Sequence, residues 1–499
     1  MRAGPFAQII RFLGGLVLRF LLSNPGPALL CVLALAAVPH SAWADLGVVV
    51  ADPTNFSYSK YTSAGHTLVY LSGVCPVSPV KARLCQPGEA GSVITTYPTF
   101  SEKQAYNWNI IPFSTYLQGS SKPADRLLYG SHQVKFALEL QARDSYLQPV
   151  CESGHCPVVI HSGWRDIVGM TNDRDVFVYA VHTSREQDRA IVDRLNDDAN
   201  TNQFHSLTNN CANFASRIIN ATFPNSVHRD LLNDIGMMSP KGAAKSFTHW
   251  ALKHPELGFY SMHFAQQPGD LKRSGVARSG TETAIHMKKY LIPAIVLGDF
   301  ELPTSFFAAY ILTGRFGLYK EFARHPAPAV VQLQAEAEAA RQAGDQPHAA
   351  ALNESALAAR EDVTGSPAEW TSYRERFAAI LTSPEAQAFP TDKKRFFPPQ
   401  YATSPVTIDA QGDPWLQVAT DGVNRQVGLG AQNVLAPESD PRLAFQLMLG
   451  RIGFELNAKD RMRENMPEFR QDWALLEQAR QRVQPPPPAS GVTAALATP

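Results

Sequence analysis

The stretch Phe204-His-Ser-Leu-Thr-Asn-Asn-Cys211-Ala-Asn-Phe-Ala-Ser-Arg-Ile-Ile219 decides the fold. From Cys211 onward, small and apolar residues recur at the i, i+3, i+4, i+7 and i+8 positions that predict a helix with one buried face. Thr208, Asn209 and Asn210 come directly before this helix and are candidate N-caps. The sequence therefore predicts a loop that leads into a helix with a cysteine in its first turn.

A thiol at this position has two interpretations. The positive end of the helix dipole favours the thiolate, which is the reactive form of cysteine. A histidine within reach would then make Cys211 a nucleophile with its own base. Free cysteine is also among the residue types most often buried, so a structural role in a core helix is the competing interpretation.

Length and charge bound the class of protein. With 499 residues, the chain is long enough for two or three domains with substantial cores. Its 45 basic and 45 acidic residues balance, so bulk electrostatics gives no reason to expect a nucleic-acid partner. We also predict no cofactor.

The N-terminus predicts a signal peptide over residues 1–44. Arginines precede an apolar run, Ala28–Val38, and small residues occupy the −3 and −1 positions of a cut after Ala44. The run is too short to span a membrane comfortably. Because the stretch from Ile9 to Leu22 is also apolar, an uncleaved anchor is the alternative. We therefore expect an exported protein of the periplasm or cell envelope, or a secreted one.

Export makes the cysteine positions informative, because disulfides persist in oxidising compartments. Cys75 and Cys85 flank a proline-containing loop, and Cys151 and Cys156 flank four residues, so both pairs suit local disulfides. A metal site is the alternative for these four, but Cys-x9-Cys and Cys-x4-Cys lack the tight spacing of zinc knuckles. Once the leader is removed, Cys211 is left as the unpaired thiol.

The elements around Cys211 predict an α+β fold. Four stretches rich in β-branched and apolar residues predict strands: Thr67–Leu71, His132–Leu140, Pro157–His161 and Asp175–His182. Ser184 and Gln187 have the spacing of a capping box, which predicts a helix after the last of these strands. The order is therefore strands, a helix, a loop and the cysteine helix.

Two short motifs resemble a known group of proteins. Gly65 and His66 enter the first predicted strand, and Asn210-Cys211-Ala-Asn-Phe-Ala215 starts the predicted cysteine helix. This order resembles the circularly permuted papain-like superfamily, which includes relatives of lecithin:retinol acyltransferase and permuted NlpC-type cysteine hydrolases. The segments Tyr106-Asn-Trp108 and Leu127-Leu-Tyr-Gly130 also resemble an uncharacterised family of bacterial envelope proteins. The resemblance covers residues 60–225.

The resemblance implies a role for each matching residue. Cys211 would be the nucleophile and His66 the general base that later protonates the leaving group. His161, at the end of a predicted strand, is the positional candidate for the third residue that orients the histidine. Asn210, or the backbone amide of Cys211, would serve an oxyanion hole. His205 competes with His66 as the base, and its alternative is a loop residue that packs against the helix start.

The rest of the chain divides by composition. Helices are predicted at Val227–Met237 and Pro240–Lys253. The predicted organisation is a permuted papain-like domain over 45–225, a helical extension over 226–325 with an apolar segment at 291–312, a mainly helical region over 326–483 and a proline-rich disordered tail over 484–499. The apolar segment contains Asp299 and Glu301, and charges at mid-span are unfavourable in a bilayer. We predict two short buried or interfacial helices there, with a membrane-associated hairpin as the alternative.

Three functions compete at this point. The first is an exported thiol hydrolase that acts on amide or ester bonds of a peptide, peptidoglycan or acyl substrate, with acyl transfer as a variant. The second is a catalytically inactive envelope scaffold or binding protein that keeps the papain-like shape. The third is a protein that associates with a membrane through residues 291–312 or the leader.

Overall fold

A six-stranded antiparallel sheet organises the first part of the chain. Its spatial order is β6-β5-β2-β1-β7-β8, formed by β1 (Ala44–Ala51), β2 (His66–Leu71), β5 (Ser92–Thr96), β6 (Trp108–Pro112), β7 (Val176–Thr183) and β8 (Tyr260–Phe264). A separate hairpin consists of β3 (Val74–Ser78) and β4 (Lys81–Leu84). The central strands are rich in Val and Leu and are buried on both faces, as expected of strands covered on both sides.

The structure is a computed structural model. It describes residues 44–53, 65–96, 108–118, 126–142, 173–200, 205, 208–234, 236–270, 273–286, 301–312, 316–325, 333, 336–337, 340–341, 344–389, 397–420, 422–457 and 466–484. All of these belong to one unit, Ala44–Pro499.

Eight described helices accompany the sheet. They are α1 (Phe113–Gln118), α2 (His132–Ala142), α3 (Arg185–Asp197), α4 (Cys211–Thr222), α5 (Pro240–Ala251), α6 (Gly280–His286), α7 (Glu301–Leu312) and α8 (Leu318–Arg324). The predicted capping box is confirmed at α3, where the Ser184 hydroxyl accepts from the Gln187 amide and the Gln187 side chain accepts from the Ser184 amide. Among the described residues, no helix is both long enough and apolar enough to cross a bilayer.

The two faces of the sheet pack against different helices. On one face, Val50 and Val69 share a core with Ala212 and Ala215 of α4 and with α5. On the other face, residues of β1 and β2 form a second core with α1: Val49, Ala51, Leu68 and Tyr70. Because successive strand residues point to opposite faces, the register of β2 decides which of its side chains can reach α4.

The second part of the chain has its own core. It contains α9 (Gln346–Thr364), α10 (Pro367–Leu381), α11 (Pro384–Gln387), α12 (Pro441–Asn457), α13 (Met466–Val483) and a three-stranded sheet of β9 (Val406–Ile408), β10 (Pro414–Thr420) and β11 (Val423–Gly428). This core also takes in Leu127, Val134 and Leu138 from the first half of the sequence.

Residues on both sides of position 225, where the sequence predicted a domain boundary, share one core. Phe247 and Phe322, beyond residue 225, belong to the core on the cysteine side of the sheet. The strand β8 also joins the main sheet from the region that was predicted to be a helical extension. The sheet core therefore continues past 225, and the segment around α2 packs with the C-terminal helices.

Two of the predicted strands are confirmed and one is wrong. The strands at Thr67–Leu71 and Asp175–His182 are confirmed by β2 and β7. The strand predicted at His132–Leu140 is wrong, because this segment is α2, in which Val134 and Leu138 are four residues apart on one buried side. The strand predicted at Pro157–His161 lies outside the described residues.

The helix predicted at Val227–Met237 is also wrong. Its described residues form turns, and Asp230 and Asp234 accept hydrogen bonds from the amides of Asn233 and Ser239. Side chains of this kind compete with helical hydrogen bonds, which explains the turns. The next helix is confirmed at Pro240–Ala251.

Candidate thiol site at the start of the cysteine helix

The start of α4 is held by a reciprocal cap. The Asn210 side chain accepts from the Asn213 amide, and the Asn213 side chain accepts from the Asn210 amide. The Asn210 side-chain Nδ2 atom also donates to the Met238 carbonyl at 2.9 Å. The sequence predicted an oxyanion role for Asn210, but in the structure its side chain caps the helix start.

Cys211 occupies the first position of this helix and is buried. The apolar face predicted from the sequence is confirmed, since Phe214, Ala215, Ile218 and Ile219 are all buried. This face packs across β2, β5 and β1 of the main sheet. The packing brings the thiol to the beginning of β2.

The groups around the Cys211 sulphur are hydrogen-bond donors. The backbone amide and hydroxyl of Thr67 and the backbone amides of Cys211 and Ala212 all favour the thiolate, but burial outweighs them and raises the pKa of the Cys211 thiol. The helix dipole was expected to favour the thiolate. The structure differs because desolvation of a buried charge is larger than the contribution of one helix start.

Thr67 is the site residue that the sequence did not reveal. It is buried, and although its hydroxyl lies near the sulphur, that hydroxyl has no hydrogen bond of normal geometry within the described residues. Leaving a buried hydroxyl unsatisfied costs about 1–3 kcal/mol, so native proteins keep few such groups. The signal in the sequence is only that Thr67 follows His66.

Two more unsatisfied groups continue this row across the sheet. Val69 lies opposite Ile94, so the same register places Thr96 opposite Thr67, and Thr96 pairs with Trp108. The Thr96 hydroxyl and the Trp108 indole nitrogen are buried and lack partners among the described residues. The sheet face under α4 therefore carries three neighbouring polar groups with unused hydrogen-bonding capacity.

His66 lies on the other face of the sheet. It follows Gly65, whose φ of 81° suits glycine, and a Cβ there would come within 2.5 Å of the Ala51 carbonyl oxygen. The His66 Nε2 atom forms a 2.8 Å hydrogen bond with the Thr95 hydroxyl. Because Thr67 faces α4, its neighbour His66 points away from α4.

The structure therefore does not bring the His66 ring and the Cys211 thiol together. Burial, followed by the nearby positive charge of Arg174, lowers the pKa of His66 to about 3. The ring is consequently neutral at physiological pH, which is the form a base needs, but it is a weak base in this environment.

The other predicted site residues separate into two groups. His161, Cys151 and Cys156 lie outside the described residues. His205 is exposed, and its backbone pairs with Asn209 in the loop before α4, which agrees with the loop alternative rather than with a base at the thiol.

The predicted disulfide of the β3–β4 hairpin is confirmed. Cys75 and Cys85 are joined, and Cys211 is the free cysteine of the described residues. Glu89 lies near the two sulphurs, but disulfide sulphur is not the thiolate that binds metals. This group therefore has a structural role.

No protein-family model, curated protein or solved structure matches this chain.

Proposed function

We propose that this protein is an exported thiol hydrolase with a permuted papain-like core, in which Cys211 attacks the carbonyl carbon of an amide or ester. The observation that carries the proposal is the free thiol at the start of α4, beside the unsatisfied hydroxyl of Thr67. A nucleophile and a donor with unused capacity are the two parts that acyl-transfer chemistry needs at one point.

In the proposed reaction, the Cys211 sulphur forms a thioester with the acyl group and the C–N or C–O bond of the substrate breaks. The thiol proton goes to a base and then to the leaving amine or alcohol. Water or a second alcohol or amine then releases the acyl group, which makes hydrolysis and acyl transfer variants of one cycle. Peptides, peptidoglycan peptides and acyl chains are the substrate classes we propose.

The Thr67 amide and hydroxyl are the proposed donors to charge on the sulphur or on the developing oxyanion. His66 is the proposed base, and because its ring lies on the face of the sheet opposite α4, this role requires the backbone at the start of β2 to move as well as the ring to leave Thr95. The proposal places this rearrangement in the substrate complex.

The second candidate is a catalytically inactive scaffold of the cell envelope. It is favoured by one specific observation, the placement of the His66 ring on the face opposite the thiol. In this alternative the thiol stays protonated by burial, and Thr67, Thr96 and Trp108 are a remnant of an active ancestor.

One experiment separates the two candidates. The processed protein is incubated with p-nitrophenyl acetate, and nitrophenolate release and intact mass are recorded together. A thiol hydrolase shows a burst with one acetyl group added per chain, and Cys211→Ser loses both. Equal acetylation of the wild type and Cys211→Ser would reject the nucleophile.

A second pair of variants tests the base. Thr95→Val removes the hydrogen bond that holds the His66 ring on the far face, so we expect faster acetylation of Cys211 than in the wild type. His66→Ala should be slower than the wild type by about 10²-fold, the usual contribution of a general base. If Thr95→Val and His66→Ala both react like the wild type, His66 is not the base.

A further inference from the structure

Helix α7 exposes three large apolar side chains. Phe307 is 58%, Ile311 57% and Leu312 78% exposed. These residues stand at i, i+4 and i+5, so they lie on one side of this 12-residue helix. Exposed apolar residues are ordinary when scattered singly, but a group on one helix side marks an interaction surface.

A second exposed group lies beside the helix that α7 contacts. Leu231 and Leu232, in the turn before α5, are both more than half exposed. The following residue, Asn233, accepts a hydrogen bond from the Thr281 amide at the start of α6, and α7 packs against α6. Both groups thus belong to segments that contact α6, and together we name them the apolar patch.

The charges at the apolar patch are mainly positive. Arg229 precedes Leu231 and has no ion pair in the described part of the chain, and Arg278 near α6 likewise has none there. The nearby acids are neutralised, since Asp230 pairs with Lys245 and Glu282 pairs with Lys241: the distances are 3.2 and 2.8 Å.

One exposed carboxylate, Glu301, belongs to the same helix. It starts α7, at the opposite end from Ile311 and Leu312. The uncompensated charges beside Leu231 and α6 are therefore arginines, which complement an anionic partner.

We propose that the apolar patch docks the protein on the surface of an anionic phospholipid bilayer. Phe307, Ile311 and Leu312 would enter the boundary between headgroups and acyl chains, and Arg229 and Arg278 would contact lipid phosphates. An interfacial site fits a helix of this length, which is too short to span a bilayer. The proposal does not depend on the chemistry at Cys211.

Vesicle flotation tests this proposal. Protein exported by a bacterial host, with its mass confirming removal of the leader, is mixed with vesicles of phosphatidylglycerol and phosphatidylcholine or of phosphatidylcholine alone. We expect flotation with the anionic vesicles. The triple variant Phe307→Ser, Ile311→Ser, Leu312→Ser should bind them at least about tenfold more weakly, because it removes the inserted apolar area.

A control variant removes three other exposed apolar side chains elsewhere in the described chain. The variant Val77→Ser, Phe136→Ser, Val423→Ser changes three exposed residues outside the patch and should float like the wild type. Arg229→Gln and Arg278→Gln should each weaken binding to the anionic vesicles about fivefold. Added salt should also weaken this binding.

Three results would overturn the proposal. Wild-type protein that does not float with anionic vesicles rules out the lipid surface. Equal flotation of the wild type and the patch variant places any membrane contact elsewhere. A concentration-dependent dimer that the patch variant loses, without vesicle binding, identifies the patch as a contact between two copies of the chain.

Discussion

The C-terminal region and the cysteine site both bury polar groups, but the first buries paired opposite charges and the second buries neutral groups without partners among the described residues. In the C-terminal region, Arg451 lies 2.6 Å from one oxygen of Asp472 and Arg126 lies 2.7 Å from the other, with Glu468 pairing both arginines. Near Cys211, the Thr67 hydroxyl lacks a well-formed hydrogen bond among the described residues.

This difference distinguishes buried charges that hold the fold together from a buried hydroxyl that is available for chemistry. A buried cluster of opposite charges holds elements in place, and here Arg451 connects α12 and α13 to the Leu128 carbonyl and Gln267. A buried donor with unused capacity destabilises the fold, and it is available to a ligand or a reacting group. The comparison therefore predicts opposite results when the two regions are mutated.

The largest effect is expected at Asp472. Asp472→Asn leaves the buried guanidiniums of Arg451 and Arg126 with an uncharged partner, and breaking a buried pair in this way costs about 3–5 kcal/mol. Urea unfolding measures the loss. The control is Glu477→Gln, whose pair with Arg376 is half exposed and is worth less than about 1 kcal/mol. Similar losses in the two variants would remove the structural side of the comparison.

The cap at α4 gives an intermediate effect. Asn210→Ala removes the hydrogen bonds to the Asn213 amide and the Met238 carbonyl, so the free energy of unfolding should fall by about 1 kcal/mol. Asn210→Asp keeps the acceptor for the Asn213 amide but cannot donate to the Met238 carbonyl, so it should recover only part of the loss. If Asn210→Ala instead leaves stability unchanged but slows acylation of Cys211, Asn210 acts on the reaction as the sequence predicted.

A smaller effect concerns the pH dependence of the thiol. Because burial raises the pKa of Cys211, iodoacetamide should alkylate the native protein with a midpoint above the ordinary thiol value of about 8.5. The native thiol also holds its proton more tightly than the unfolded one, so stability present below the ordinary thiol pKa is lost as pH rises through the native pKa. A native midpoint below that of the urea-unfolded protein would show that a base already assists the thiol.

The sequence predicted the local features of the site better than its assembly. The helix at Cys211, its buried face and the Cys75–Cys85 disulfide follow from spacing and residue type, which act over short distances. The side of the sheet that His66 faces does not follow from spacing and residue type, because a shift of one residue in strand register moves every side chain to the opposite face.

The errors elsewhere have the same origin. The segment His132–Leu140 contains alternating apolar residues, yet Val134 and Leu138 also suit a helix, and packing against the C-terminal core selects the helix. Composition along the chain does not show that a strand such as β8 returns to the sheet.

The most direct test of the comparison is Thr67→Val, which replaces the unsatisfied hydroxyl with a methyl group of similar shape. The free energy of unfolding and the rate of Cys211 acetylation are measured on the same preparation. We expect the variant to be more stable by up to about 1–3 kcal/mol, the cost of the unsatisfied hydroxyl, and slower in acetylation. A variant that is less stable, or one that is more stable and reacts at the wild-type rate, would contradict a chemical role for this site.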